Sequence, residues 1–134
     1  MPDDRQQAID AAGQLLRHGD RSRAELERRL VERGIRSDAV EDALETLERV
    51  GVLDDGRTAE LRADRLAERG YGDAYIRAEL ERRGLPAEAA LAELEPEAVR
   101  AARLVVKRGG GASTAAWLSR RGFGDEGVEA AFAS

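Results

Sequence analysis

A short segment that occurs three times constrains the fold of this chain more than any other feature. Each copy is an Arg-Gly pair followed by isoleucine, leucine or phenylalanine, and the copies lie at 33–35, 83–85 and 121–123. Basic side chains suit the negative C-terminal end of a helix, and glycine commonly ends a helix in the left-handed conformation. Each copy therefore predicts the end of a helix. Positive φ is expected at the three glycines, which are Gly34, Gly84 and Gly122.

Apolar residues recur at fixed distances from these glycines. One leucine stands eighteen residues before each glycine, and a second stands four residues before it. The first set is Leu16, Leu66 and Leu104, and the second is Leu30, Leu80 and Leu118. A fixed set of offsets across three copies is an internal repeat, and no segment has a strand pattern of useful length.

The repeat predicts an all-α fold, with three tandem three-helix repeats in an elongated arrangement and no sheet. The predicted boundaries are 1–53, 54–95 and 96–134, with the third repeat short at its C-terminus. The glycines are spaced by 50 and 38 residues, so the copies are divergent, unlike a strict solenoid array. One repeat alone is too small to bury a sufficient core, and we expect neighbouring repeats to support one another.

Polar residues at the starts of the predicted helices indicate caps. Ser22 and Glu25 have the spacing of a capping box, in which each side chain accepts a hydrogen bond from the other residue's backbone N–H. Asp54 or Asp55 is predicted to cap the helix that follows Gly51. A divalent metal on this Asp pair is the less favoured interpretation, because two adjacent carboxylates offer too few oxygen ligands. Further predicted N-caps are Ser37, Ser113 and Asp125.

The residue types required for catalysis or metal binding are scarce. The chain has no cysteine and one histidine, His18, which is expected to lie at a helix end. The glycine-rich segment 107–114 superficially resembles a phosphate loop, but its lysine precedes the glycines, so a flexible helix–helix loop is the better interpretation. We therefore expect no enzyme activity, metal or cofactor. No run approaches 18 apolar residues, so we expect no membrane span. We expect a soluble, cytoplasmic protein, and we expect it to be a monomer.

Charged residues make up 37% of the chain and alternate in sign along the predicted helices. Glu25–Arg29 and Glu79–Arg83 have the i,i+4 spacing of intrahelical ion pairs on solvated faces.

The net charge of −5 argues against a general nucleic-acid binder, but the charge is unevenly spread. Residues 96–134 carry six bases and four acids, so the predicted third repeat alone is net positive. Arg100, Arg103 and Lys107 follow i, i+3, i+7 spacing and are predicted to form one basic stripe on a helix. The full set of candidate binding residues is Arg100, Arg103, Lys107, Arg108, Arg120 and Arg121. A solvated face without a partner is the alternative interpretation of these charges.

Several segments of the chain follow one another in a characteristic order. They are Ser22-x-x-Glu25-Leu26, the stop at Gly34, Gly51-Val52-Leu53-Asp54-Asp55, Arg69-Gly70 and Ile76-x-x-x-Leu80-x-x-x-Gly84-Leu85. In this order and spacing the chain resembles the RecX family of bacterial regulatory proteins, and the resemblance covers nearly the whole sequence. Thr58 is a departure, since the family usually has an aromatic residue three positions after the Asp pair.

The resemblance implies a cytoplasmic protein that binds the RecA recombinase. Family members lie along the groove of the RecA–DNA filament and inhibit its ATP hydrolysis, strand exchange and coprotease activity. Under this interpretation the basic stripe meets filament-bound DNA or an acidic surface of RecA. Two alternatives stay open, which are a three-helix module that binds DNA directly and a structural helical module without a filament partner.

Overall fold

The structure, a computed structural model, describes residues 3–133 and confirms the all-α prediction. Within this range the chain forms nine α-helices and no strand. The helices are α1 (Asp4–Arg17), α2 (Arg23–Glu32), α3 (Ser37–Arg49), α4 (Asp55–Glu68), α5 (Asp73–Arg82), α6 (Ala87–Ala92), α7 (Glu97–Arg108), α8 (Ala112–Arg120) and α9 (Asp125–Ala133). None of these helices is both long and apolar enough to cross a membrane.

The described chain divides into two compact units. Unit 1 comprises the described residues up to Thr58 together with Arg83–Leu85. Unit 2 comprises Ala59–Arg82 together with the described residues from Pro86 onward. The finer division into three repeats stays a prediction.

In unit 1, the first three helices pack on one another around a shared apolar core. Apolar residues of α3 recur at helical spacing, so that one face of this helix is buried. Small residues at Ala8 and Ala12 let α1 approach closely, and both are fully buried. The largest fully buried side chains of this core are Leu26, Leu30, Val40 and Leu44.

The segment Arg83–Leu85 completes unit 1 at the start of α2. The predicted capping box is present, because Ser22 Oγ accepts from Glu25 N–H and the Glu25 carboxylate accepts from Ser22 N–H. Ser22 Oγ also donates a 2.6 Å hydrogen bond to the Arg83 carbonyl. The Arg83 guanidinium lies 3.1 Å from the Glu25 carboxylate. One hydroxyl therefore links a helix start to a helix end that is distant in sequence.

The predicted i,i+4 ion pairs are wrong. Arg83 pairs with Glu25 rather than with Glu79. Glu79, which is 9% exposed, pairs instead with Arg62 and Arg82 within unit 2. Arg62 reaches Glu79 from α4, whereas Arg82 is its i,i+3 neighbour on α5. Partners of opposite charge offset the cost of burying the Glu79 carboxylate.

In unit 2, α7, α8 and α9 pack together, and α5 packs on α6. Ala101, Leu118, Phe123 and Ala131 form a buried cluster, with Trp117 and other partly buried side chains packed around it. Ile76 and Leu80 are fully buried on α5.

The repeat positions read from the sequence are predominantly interior. Leu30, Leu80 and Leu118 are each 0% exposed, and Leu66 is nearly so. Leu16 and Leu104 are partly buried at the margins of their clusters. The three stop glycines have the expected positive φ, with values of 86°, 74° and 94° at Gly34, Gly84 and Gly122.

The Asp pair is divided between two tasks. Asp54 caps α4, since its Oδ1 accepts from Arg57 N–H at 3.1 Å. The Asp55 carboxylate instead accepts from Arg23 N–H at 2.9 Å, and burial raises its pKa. Arg23 also pairs with Glu41 and Glu48.

Three further predicted caps are wrong by one or two residues. Ser37 and Asp125 are the first residues of α3 and α9, and Ser113 lies inside α8. The N-cap positions of α3 and α8 are Arg36 and Gly111, neither of which makes a side-chain cap hydrogen bond.

Candidate functional site

The predicted basic stripe on α7 is wrong at Arg100. This side chain is buried, with 8% of its surface exposed. Its guanidinium donates to the carbonyls of Glu95 and Tyr71, at 3.0 and 3.1 Å, and pairs with the carboxylate of Asp73. It thereby satisfies backbone oxygens between helices, and it is unavailable to a partner.

Arg103 is exposed but its charge is locally balanced. Its two terminal nitrogens donate to both carboxylate oxygens of Glu95, at 3.0 and 2.9 Å. This two-point pairing lowers the pKa of Glu95 and raises that of Arg103. Arg103 therefore offers a partner little uncompensated charge.

Two of the candidate arginines stack on aromatic rings. Arg108 lies over the Trp117 ring, with its guanidinium carbon 3.8 Å from the ring centroid. Arg121 lies over the Tyr71 ring at 3.8 Å and donates to the carbonyls of Arg69 and Gly70. Such stacking holds a guanidinium in place without neutralising it.

Lys107 and Arg120 are exposed and make no hydrogen bond or ion pair with any residue in the range 3–133. Lys107 lies on α7 near Arg108, whereas Arg120 lies on α8. The six candidates thus do not form one surface, because one is buried, one is paired and the others divide between two helices.

The structure instead assembles a basic groove, which we define as Arg69, Lys107, Arg108 and Trp117 together with Gly70 and Leu104. Its volume is about 610 Å³. Among the described residues that line it, Glu68 alone is acidic. A neighbouring groove is lined by Arg62, Arg65, Glu68 and Arg69.

The contribution of α4 to this groove was not predicted from the sequence. Residues 54–95 carry more acids than bases, and this regional sum concealed a local cluster. The available signal was the i, i+3, i+7 spacing of Arg62, Arg65 and Arg69, which places three bases on one helix face. Groups of His, Cys, Asp or Glu that could hold a metal ion are absent from the described residues.

The comparisons with known proteins give the fold and the family. The model of the RecX first three-helix domain matches residues 8–47. The regulatory protein RecX of Xanthomonas oryzae pv. oryzae (strain MAFF 311018) is 37% identical over 134 residues, covering 90% of this chain and 83% of the relative. The chain belongs to the RecX family. The regulatory protein RecX of Halorhodospira halophila (strain DSM 244 / SL1) is 36% identical, covering 93% of this chain and 86% of that relative.

A solved structure shares the fold of this RecX family member. The crystal structure of RecX from Lactobacillus salivarius superposes with a TM-score of 0.83 at 17% identity, covering 99% of this chain and 97% of the other. The resemblance to the RecX family, which rested on the order of several sequence segments, is therefore confirmed for the family and the fold. The relatives are named regulatory proteins, and the name of none of them describes an enzyme.

Proposed function

We propose that this chain binds the RecA recombinase filament and inhibits its ATPase, strand-exchange and coprotease activities, thereby modulating DNA repair and recombination. The observation that carries the proposal is the RecX family membership, which extends over 90% of the chain. The site of action would be the cytoplasm, where RecA and DNA are found together. No catalytic step is assigned to the chain itself, and no cofactor is required.

The proposed mechanism is occupancy. A helical body that lies along a filament blocks the subunit movements or the DNA access that strand exchange requires. Inhibition of this kind needs a surface rather than a reactive group.

The basic groove is the proposed contact for DNA held within the filament, or for an acidic surface of RecA. Lys107 has no partner in the described structure, and the stacked Arg108 keeps its charge. Cationic side chains that meet phosphates release counterions, so binding through the groove weakens as salt rises.

The groove is tested by reversing two charges, Arg69→Glu with Lys107→Glu, and measuring RecA ATPase at increasing chain concentration. Inhibition should require at least about tenfold more of this double variant, because two cationic contacts are reversed. The matched control is Arg28→Glu with Arg29→Glu, which makes the same charge change on exposed positions of α2. Equal inhibition by both double variants would remove the groove from the mechanism.

A second candidate function is direct DNA binding without RecA. The specific observation that favours it is Trp117 beside Arg108 and Lys107, since aromatic and cationic side chains together suit nucleic acid. Trp117 is the one tryptophan of the sequence, so its fluorescence reports on the groove directly. Saturable quenching by DNA alone supports this candidate, whereas quenching only by RecA filaments supports the first.

A further inference from the structure

Two of the three Arg-Gly segments are seated on the start of another helix. In unit 1, the Arg83 carbonyl accepts from Ser22 Oγ at 2.6 Å, and the Arg83 guanidinium donates to the carbonyl of Asp20 at 2.7 Å. Gly84 follows directly and lies against Ala24.

Unit 2 contains an equivalent contact. The Arg121 carbonyl accepts from Gly72 N–H at 2.8 Å, and the Arg121 guanidinium donates to the carbonyl of Gly70 at 3.3 Å. The Gly122 carbonyl accepts from Ala74 N–H at 3.1 Å.

The sequence offsets of the two contacts coincide. Counted back from the glycine that ends the receiving helix, Asp20 and Gly70 stand at fourteen residues and Ser22 and Gly72 at twelve. An alanine stands ten residues before all three stop glycines, and these alanines are Ala24, Ala74 and Ala112. We call the Arg-Gly segment the plug, and the receiving helix start the socket.

Close approach explains why the plug ends in glycine. A Cβ on Gly84 would lie 3.0 Å from the Cβ of Ala24, and one on Gly122 would lie 2.7 Å from the Cβ of Tyr75. In the socket, a Cβ on Gly72 would lie 2.4 Å from Phe123 N. The contact in unit 2 leaves no room for an added side chain, and the contact at Gly84 would require Ala24 to shift by a few tenths of an ångström.

One plug and one socket are left open. A Cβ on Gly34 would meet no atom within 4 Å, and the exposed Arg33 side chain has no hydrogen-bond or ion-pair partner in the described residues. At the start of α8, Gly110 and Gly111 likewise have no neighbour within 4 Å of an added Cβ. Ala112 there is exposed and occupies the same offset as Ala24 and Ala74.

We propose that the partner of these open ends is a second copy of this chain, docked head to tail. The plug at Arg33 and Gly34 of one copy seats on the socket at Gly110–Ala112 of the next. The chain itself indicates this occupant. It makes the plug–socket contact twice internally, and its first plug and its last socket are left open. Residues 1–53, which carry the open plug, have net charge −3, and residues 96–134, which carry the open socket, have net charge +2, so the two segments attract at long range.

Head-to-tail contact is heterologous, and it extends into open chains unless the geometry closes a ring. Repeat proteins ordinarily prevent such growth with terminal repeats that have polar outer faces. The monomer expected from the sequence is then the species in dilute solution, and longer assemblies form as concentration rises.

The test uses the full chain alone, measured by sedimentation equilibrium up to about 1 mM. The wild-type chain should show a weight-average mass that rises steadily with concentration. Arg33→Glu removes the plug's donors, and Ala112→Arg fills the socket with a bulky cation. Each variant alone should stay at the mass of one chain, whereas the control Arg28→Ala, on an exposed position of the same helix, should associate like wild type.

A mixture of the two blocked variants gives the decisive result. Arg33→Glu retains an open socket and Ala112→Arg retains an open plug, so their equimolar mixture should reach the mass of two chains and stop there. A wild-type chain that is monomeric at about 1 mM would overturn the proposal. Blocked variants that associate like wild type, or a mixture that stays monomeric while wild type associates, would overturn it as well.

Discussion

The hydroxyl of Ser22 donates a 2.6 Å hydrogen bond to the carbonyl of Arg83, 61 positions later in the chain. The same oxygen accepts from Glu25 N–H as the cap of α2. Ser22 is 0% exposed, so both bonds are shielded from water. A local capping signal in the sequence thus also anchors a distant helix end.

Removing this hydroxyl should cost stability. Ser22→Ala loses the helix cap and leaves the carbonyl of Arg83 without its donor, and we expect the free energy of unfolding to fall by about 1–3 kcal/mol. Urea denaturation followed by circular dichroism measures the change. Ser119→Ala, an exposed serine on α8, is the matched control and should leave the midpoint within error. A midpoint for Ser22→Ala equal to that of the control would contradict the anchoring role.

Truncating a central core leucine should cost more. Leu80 is 0% exposed, and Leu80→Ala should lower the free energy of unfolding by roughly 2–5 kcal/mol through lost burial and a residual cavity. Leu61→Ala is the control, because Leu61 is 46% exposed. Equal losses in the two variants, measured by thermal unfolding, would mean that burial at Leu80 is not what stabilises α5.

The backbone at Gly84 should tolerate no side chain. Its φ is 74°, and an added Cβ meets Ala24 at 3.0 Å, so Gly84→Ala should cost at least about 1 kcal/mol. Gly110→Ala is the matched control, with open space around it and no positive φ. The melting temperature should fall only for Gly84→Ala. An unchanged melting temperature in that variant would refute the left-handed stop.

Stability should depend on pH through Glu25. Burial raises the pKa of its carboxyl, but hydrogen bonds from Ser22 N–H and Arg83 outweigh burial and hold that pKa below its ordinary value of 4.5. A depressed pKa in the folded state contributes stability above the unfolded-state pKa, and this contribution is lost as pH falls through the folded-state pKa.

Glu25→Gln isolates this contribution. At pH 7 the variant should be less stable than wild type by roughly 1.5–3 kcal/mol, the range for hydrogen bonds to charged groups. The difference should shrink as pH is lowered below about 4.5, and denaturant titrations at several pH values measure it. A difference that is the same at pH 7 and pH 3 would show that the Glu25 charge is not involved.

Features set by local pattern were predictable from the sequence. Leu30 and Leu80 are interior because helical spacing places them on the apolar face of their helices. Helix α2 ends before Gly34 because glycine adopts a positive φ at little steric cost. The family followed from the order of several such segments.

Features set by contacts between distant residues were not predictable. Arg100 occupies a charged position in a helical stripe, but Tyr71 and Asp73, far away in sequence, bury it. Arg83 likewise pairs with Glu25, which is distant in sequence, and not with Glu79, its predicted i,i+4 partner. The net charge of a segment does not show which of its charged side chains face solvent, because that depends on burial and on ion pairs with distant residues.

Cosedimentation measures directly whether the chain binds the RecA filament. RecA filaments assembled on single-stranded DNA are centrifuged with increasing concentrations of the chain, and the chain alone serves as the control. We predict that the chain pellets with the filaments in a saturable manner, more weakly at high salt, and stays in the supernatant without them. A chain that stays in the supernatant at every concentration in the presence of filaments would show that it does not bind them.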